Sequence, residues 1–235
     1  MRHTQLHTRR RLEDAALNGG TNDVQEALLA LGEAVEQRDC HTGTHCRRMA
    51  HLGVALGTAM GLDEESLVAL HHGGYLHDIG KVGIPDAILL KPGTLTAEEW
   101  STMRTHTTRG VEICRHMKSL DKVLPIIRSH HERFDGSGYP DGLKGNQIPL
   151  LARVMQVVDI YDALTNPRPY RQECSEEKAL EILADETARG WRDPEIVGVF
   201  RNLCEAVLSQ SLPMHASIRN LSRAVRGVIR PADLM

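Results

Sequence analysis

Apolar residues in this chain recur at helical spacing and nowhere alternate at strand spacing, and that pattern limits the fold more than any other feature. Val24, Ala27, Leu28, Leu31, Ala34 and Val35 fall on one helical face. Met49, Leu52, Leu56 and Met60 resume the pattern after a polar stretch from Arg38 to Arg48. The reading is two helices, or one bent helix, with a polar patch between. Asp63 can cap a helix running through Leu67 and Leu70 toward His77, and Thr96 with Glu99 forms a capping box for the next. A segment from Leu124 to about Glu132 reads as helical with Pro125 in its first turn. It ends where Gly136, Gly138, Pro140 and Gly142 enforce a loop. Pro149 opens a helix through Val154, Val157, Val158 and Tyr161, and Ser175 and Asp193-Pro194 start two more. Only two Phe and two Trp occur in 235 residues, so the core must be built from Leu, Val, Ile, Ala and Met, which suits packed helices. The expectation is an all-α domain over residues 23–210. Residues 1–22 read as a flexible lead or linker remnant, and 211–235 as an amphipathic helical tail.

In that tail Arg219, Arg223, Arg226 and Arg230 form a basic stripe opposite Ile218, Leu221, Val225 and Val228. A packed or dimerising helix explains it better than partner or lipid contact. The formal net charge is only −3, with charges interspersed, which gives no case for long nucleic acid. No apolar run approaches the roughly 20 residues of a membrane span, and the start lacks a signal peptide's apolar segment. The five cysteines include no CxxC pair and are odd in number, so a reducing cytoplasm is the expected setting.

Thirteen histidines stand out against this background. His41 and His45 are four apart, so on a helix their imidazoles share a face and could address one metal. In Leu76-His77-Asp78-Ile79-Gly80-Lys81 an adjacent His and Asp sit among apolar residues, where a carboxylate needs a cation. Lys81 could be that cation as a plain ion pair, or a metal could. His106, His130, His131 and Asp159 add ligand types on separate predicted helices. Imidazoles mixed with carboxylates suit iron or manganese, with zinc an alternative. His71 and His72 read as packing or surface residues.

Here the residues carry a resemblance. His45, His77-Asp78 and Asp159 reproduce the H…HD…D signature of the HD superfamily of metal-dependent phosphohydrolases. The segment His130-His131-Glu132-Arg133-Phe134-Asp135-Gly136-Ser137-Gly138-Tyr139-Pro140 resembles the HHExxDGxGYP motif of its HD-GYP subfamily. Ile84-Pro85-Asp86, Lys91-Pro92-Gly93, Asp162-Ala163-Leu164-Thr165 and Arg168-Pro169-Tyr170-Arg171 are also similar, in order, over residues 30–205.

The resemblance implies an HD-type helical bundle with a Gly-rich GYP loop. It implies metal-dependent hydrolysis of cyclic di-GMP, a bacterial second messenger, or a related cyclic dinucleotide, to linear pGpG by a hydroxide held between metals, with further conversion to GMP left open. It carries over His45, His77, Asp78, His106, His130, His131 and Asp159 as metal ligands, with Asp78 bridging two ions. Lys81 falls at the family's catalytic lysine, and Arg168 and Arg171 at its phosphate-binding positions. Gly138, Tyr139 and Pro140 form a loop that family members turn toward diguanylate cyclase (GGDEF) partners. Members with a third metal carry Glu four residues before the first ligand histidine, where this chain has His41. Two divalent ions, iron or manganese, are therefore expected, with His41 a candidate extra ligand. The alternatives are another HD-type reaction and a silent module that binds cyclic dinucleotide or a cyclase domain.

Overall fold

The computed structural model describes residues 26–39, 44–167 and 173–208. The expectations for His41, Arg168, Arg171, the lead 1–22 and the tail 211–235 lie outside the described residues. Among the described residues the chain is helical, with no strand. In chain order the helices are α1 (26–38), α2 (His45–Ala59), α3 (Glu64–Leu76), α4 (Asp86–Leu89), α5 (Ala97–Arg104), α6 (His106–Cys114), α7 (Leu124–Ser129), α8 (Leu150–Thr165), α9 (Glu176–Ala188) and α10 (Pro194–Leu208). A 3₁₀ turn, Ile79–Gly83, links α3 to α4.

The predicted starts carry the expected caps. Asp63 accepts from the Ser66 N–H at 2.8 Å. Thr96 accepts from the Glu99 N–H while Glu99 accepts from the Thr96 N–H at 2.7 Å. Ser175 caps α9, and Asp193 accepts from the N–H groups of Glu195 and Ile196. Each such cap stabilises its helix by about 1 kcal/mol.

α8 runs through the middle, buried on most of its surface, with α2, α3 and α7 against one side and α9 and α10 against another. One core cluster joins Met49, Leu56, Leu70, Met155, Val158, Leu183 and Phe200. A second, nearer α1 and α6, joins Val35, Leu76, Ile79, Cys114, Leu120 and Ile127. His72 is buried in α3, and its pKa is lowered to about 4 by that burial. The half-buried His71 packs its ring 5.3 Å from Tyr75. Both are packing residues.

Two boundaries differ from the sequence reading. On α1 the inward stripe is Gly32, Val35 and Glu36, whereas Leu31 is 43% exposed and Ala34 faces outward. The face is rotated because α1 lies so close to α3 that a Cβ at Gly32 would meet the Tyr75 carbonyl oxygen at 2.3 Å. α7 stops at Ser129 rather than near Glu132. Its last N–H to carbonyl bond is from His130 to Ile126, after which the chain turns into the glycine loop.

The tightest backbone approach lies where the 3₁₀ turn meets α6. A Cβ on Gly80 would sit 1.8 Å from the His106 carbonyl oxygen and 2.5 Å from the Gly110 nitrogen. Only a glycine lets the turn carrying Asp78 and Lys81 lie directly on the helix that begins with His106. Gly80→Ala should lower stability by about 2–3 kcal/mol, or roughly 5–10 °C in Tm. Gly198 lies exposed in α10 with nothing within 4 Å of its missing Cβ among the described residues, so Gly198→Ala should instead raise stability by about 0.5–1 kcal/mol. Thermal melts of the two variants read both signs.

Candidate metal centre

Four histidines have one ring nitrogen already committed. His77 caps the end of α3 and its Nδ1 lies 3.2 Å from the Gly74 carbonyl. His106 follows α5, with Nδ1 2.8 Å from the Met103 carbonyl. His130 ends α7, with Nδ1 3.0 Å from the Ile127 carbonyl. The last carbonyls of a helix lack intrahelical donors, so these oxygens accept the Nδ1–H and place each proton on that side of the ring. His45 achieves the same with a carboxylate, its Nδ1 lying 2.6 Å from Asp162 Oδ2. Asp162 is buried and held in turn by the Arg48 guanidinium. In His77, His106 and His130 this leaves Nε2 as the ring atom that faces the site and can bind a proton or a metal ion.

Those atoms converge. Asp78, His106, His130 and His131 form one group of potential ligand atoms within 4.8 Å of one another, and Glu36, His45 and His77 form a second. Asp78 joins the two groups, since Oδ1 lies 3.2 Å from His106 Nε2 and Oδ2 lies 3.3 Å from His77 Nε2. Asp159 Oδ1 is 3.9 Å from His45 Nε2. The Nε2 atoms of His77, His106 and His130, Asp78 Oδ1 and both Glu36 carboxylate oxygens are buried without a hydrogen-bond partner. Carboxylate oxygens and imidazole nitrogens buried together without hydrogen-bond partners are unfavourable unless cations, protons or metal ions, fill the space between them. The donor set therefore fits divalent metal ions, and the mixture of imidazole and carboxylate suits iron, manganese or zinc.

The electrostatics agree. Burial would raise the pKa of Asp78, but the Lys81 ammonium 2.8 Å away, with His77, holds it well below the usual carboxylate range. Burial acts to lower the pKa of His77, and the carboxylates of Asp78, Asp159 and Glu36 outweigh it, raising the value to about 9. His131 is held well below the ordinary histidine value by burial and by the neighbouring His130 and His106. Lys81 is opposed by burial but kept charged by Asp78 and Asp39, both of which it contacts.

A protein-family profile described as HD domain matches residues 30–196, most of the chain. The chain belongs to the HD domain family. The cyclic di-GMP phosphodiesterase response regulator RpfG of Xanthomonas campestris is 39% identical over 185 residues, 78% of this chain and 49% of the relative. A cyclic di-GMP phosphodiesterase of Thermotoga maritima is 39% identical over 180 residues, 76% of this chain and 49% of the relative. The chain thus spans about half the length of these curated relatives. The crystal structure of a cyclic GMP-AMP specific phosphodiesterase from V. cholerae aligns with a TM-score of 0.62 at 25% identity, over 84% of this chain and 53% of that one.

The HD-GYP loop wraps the open side of this HD-family centre. Tyr139 stacks on His131 at 4.9 Å, and its peptide bond to Pro140 is cis. Gly138 has a steric reason, since a Cβ there would lie 2.2–2.4 Å from the backbone of Glu132 and Arg133. Glu132 is fully buried and accepts from the N–H groups of Asp141 and Leu143, tying the loop back on itself. Beside the loop a cleft of roughly 350 Å³ is lined by His130, His131 and Asp159 together with Trp100, Arg104, Arg133 and Arg192.

The sequence residues His45, His77, Asp78, Lys81, His106, His130, His131 and Asp159 are thus brought together, and Tyr139 lies over them. Four contributors were not foreseen by role: Glu36, Asp39, Asp162 and Arg48. Glu36 is nine residues before His45 and follows Val35 on α1, so its one visible signal was a charged residue beside a buried apolar position. Asp162 stood in a quoted motif but had no role until its contact with His45 was seen.

Two outcomes follow. Replacing Asp162 with Asn removes the charge that orients His45, and metal affinity should fall roughly 10–100-fold with the fold retained, as read by metal titration and circular dichroism. In the metal-free protein His77 holds a proton below about pH 9, which an incoming ion must displace. Apparent affinity for Mn²⁺ should therefore rise with pH up to that value and flatten above it, and calorimetry in buffers of different ionisation enthalpy should show proton release near pH 7.

Proposed function

We propose that this domain is a metal-dependent phosphodiesterase that hydrolyses cyclic di-GMP or a closely related cyclic dinucleotide to a linear product. The observation that carries the reading is the convergence of imidazole and carboxylate acceptors from six elements on one buried point, with the Lys81 ammonium at its edge and a cationic cleft beside it. The names of the relatives, which cover both cyclic di-GMP and cyclic GMP-AMP phosphodiesterases, support the substrate class.

His106, His130, His131 and Asp78 would hold one ion, and His45, His77, Asp159 and Asp78 a second, with iron or manganese as the metals. When bound, such a pair supplies Lewis-acid activation of water and charge neutralisation at the phosphate. The remaining work falls to side chains. Lys81 stands beside Asp78 and would stabilise negative charge on the departing ribose oxygen. Arg104 and Arg133 line the cleft and can pair with phosphate oxygens through their guanidinium forks. Arg168 and Arg171 are assigned to the second phosphate. Trp100 and Tyr139 offer rings on which a base can stack, and the Arg104 guanidinium lies 5.9 Å and 5.2 Å from their centres. No helix among the described residues is long and apolar enough to cross a membrane. The free Cys46, Cys114, Cys174 and Cys204 suit the reducing cytoplasm.

Metal-loaded protein offered cyclic di-GMP, 3′3′-cyclic GMP-AMP and cyclic di-AMP, with products separated by chromatography, tests the reading. Hydrolysis of at least one to a linear dinucleotide is expected, and full metal occupancy with none cleaved would reject it. Lys81→Ala should keep its metals while kcat falls on the order of 10²–10³-fold, with KM changing much less.

A further inference from the structure

The Glu36 carboxylate is the least compensated polar group among the described residues. It is 2% exposed, and neither of its oxygens has a hydrogen-bond partner. Cations close in sequence or space are engaged elsewhere. Arg38, two residues on, donates to the carbonyls of Lys81 and Ile84 and to Asp86, and Lys81 is paired with Asp39 and Asp78. Glu36 Oε1 lies 3.8 Å from His45 Nε2. That is too far for a hydrogen bond. It fits two ligands of one ion, because donors about 2.0–2.2 Å from a metal sit roughly 3–4 Å apart. His77 Nε2 is the third member of the same group of potential ligand atoms.

We propose that Glu36 is a metal ligand, holding a divalent cation together with His45 and His77. The assignment rests on the metal-centre reading above and extends it by a residue outside the H…HD…D and HHExxDGxGYP motifs. Glu36 brings this ion a negative charge that a neutral imidazole does not, and it brings it from α1. Arg38 fixes its approach by clamping the end of α1 to the 3₁₀ turn and the start of α4. The two groups of donors then each contain a carboxylate of their own, Asp78 in one and Glu36 in the other.

Glu36→Gln tests this with little change in volume. Mn²⁺ is titrated into metal-free wild-type and variant protein, with stoichiometry by mass spectrometry and the bound ion's environment by electron paramagnetic resonance. His106→Ala, which alters the other group, serves as reference. The expected result is one tight ion retained in Glu36→Gln and the other weakened at least tenfold. Without metal, the variant should melt no lower than wild type, because a buried carboxyl without hydrogen-bond partners has been replaced by a neutral amide of similar volume. Unchanged affinity and resonance for both ions in Glu36→Gln would overturn the Glu36 assignment and leave the metal centre standing. Absence of tight Mn²⁺ in wild type, with Fe²⁺ and Zn²⁺ equally unbound, would overturn both.

Discussion

The structure depends on a hydrogen bond that most helices leave unmade. The final carbonyls of a helix have no N–H partner within it, and in this domain three of them accept the Nδ1 proton of a histidine set at or just beyond the helix end. The bond satisfies the helix and turns the other ring nitrogen inward. Placing His77, His106 and His130 at helix ends is therefore also what makes their inner nitrogens available to a cation. His45, near the start of a helix, has no such carbonyl and borrows Asp162 instead. Packing then brings the helix ends together, and the contact at Gly80 sets how closely Asp78 and His106 approach.

Much of this was legible in the sequence. The helices, their caps and the loop could be read from Asp63, Thr96, Ser175 and Pro149, because capping is local chemistry that tertiary context rarely overrides. The histidines and aspartates could be read too, since polar groups among apolar neighbours require a reason. What could not be read was rotation. Leu31 and Ala34 extend the apolar periodicity of α1, yet the helix turns Gly32, Val35 and Glu36 inward because the backbone of α3 needs a residue without a side chain at position 32. Glu36 became part of the site through that rotation. Asp39 and Asp162 were invisible as partners for a related reason: their contacts are 42 and 117 residues away in sequence.

The glycine loop divides its labour in a way the motif does not announce. Its most buried member, Glu132, touches backbone N–H groups and closes the loop, and Gly138 makes room for that closure. Tyr139 is the member that reaches the histidines. A fixed string of residues can thus be required for two unrelated reasons, one conformational and one chemical.

The helix-end carbonyls also have an electrostatic side. The C-terminus of a helix carries partial negative charge, and α3, α5 and α7 all point that end at the same small volume, alongside the carboxylates of Glu36, Asp78 and Asp159. Lys81, with Asp39 drawing on the same ammonium, offsets only a fraction of this. A dianionic ligand approaching the empty centre meets repulsion, and one approaching the filled centre meets attraction. On the function proposed above, the architecture would impose an order of binding in which cations enter first and the phosphate ester follows.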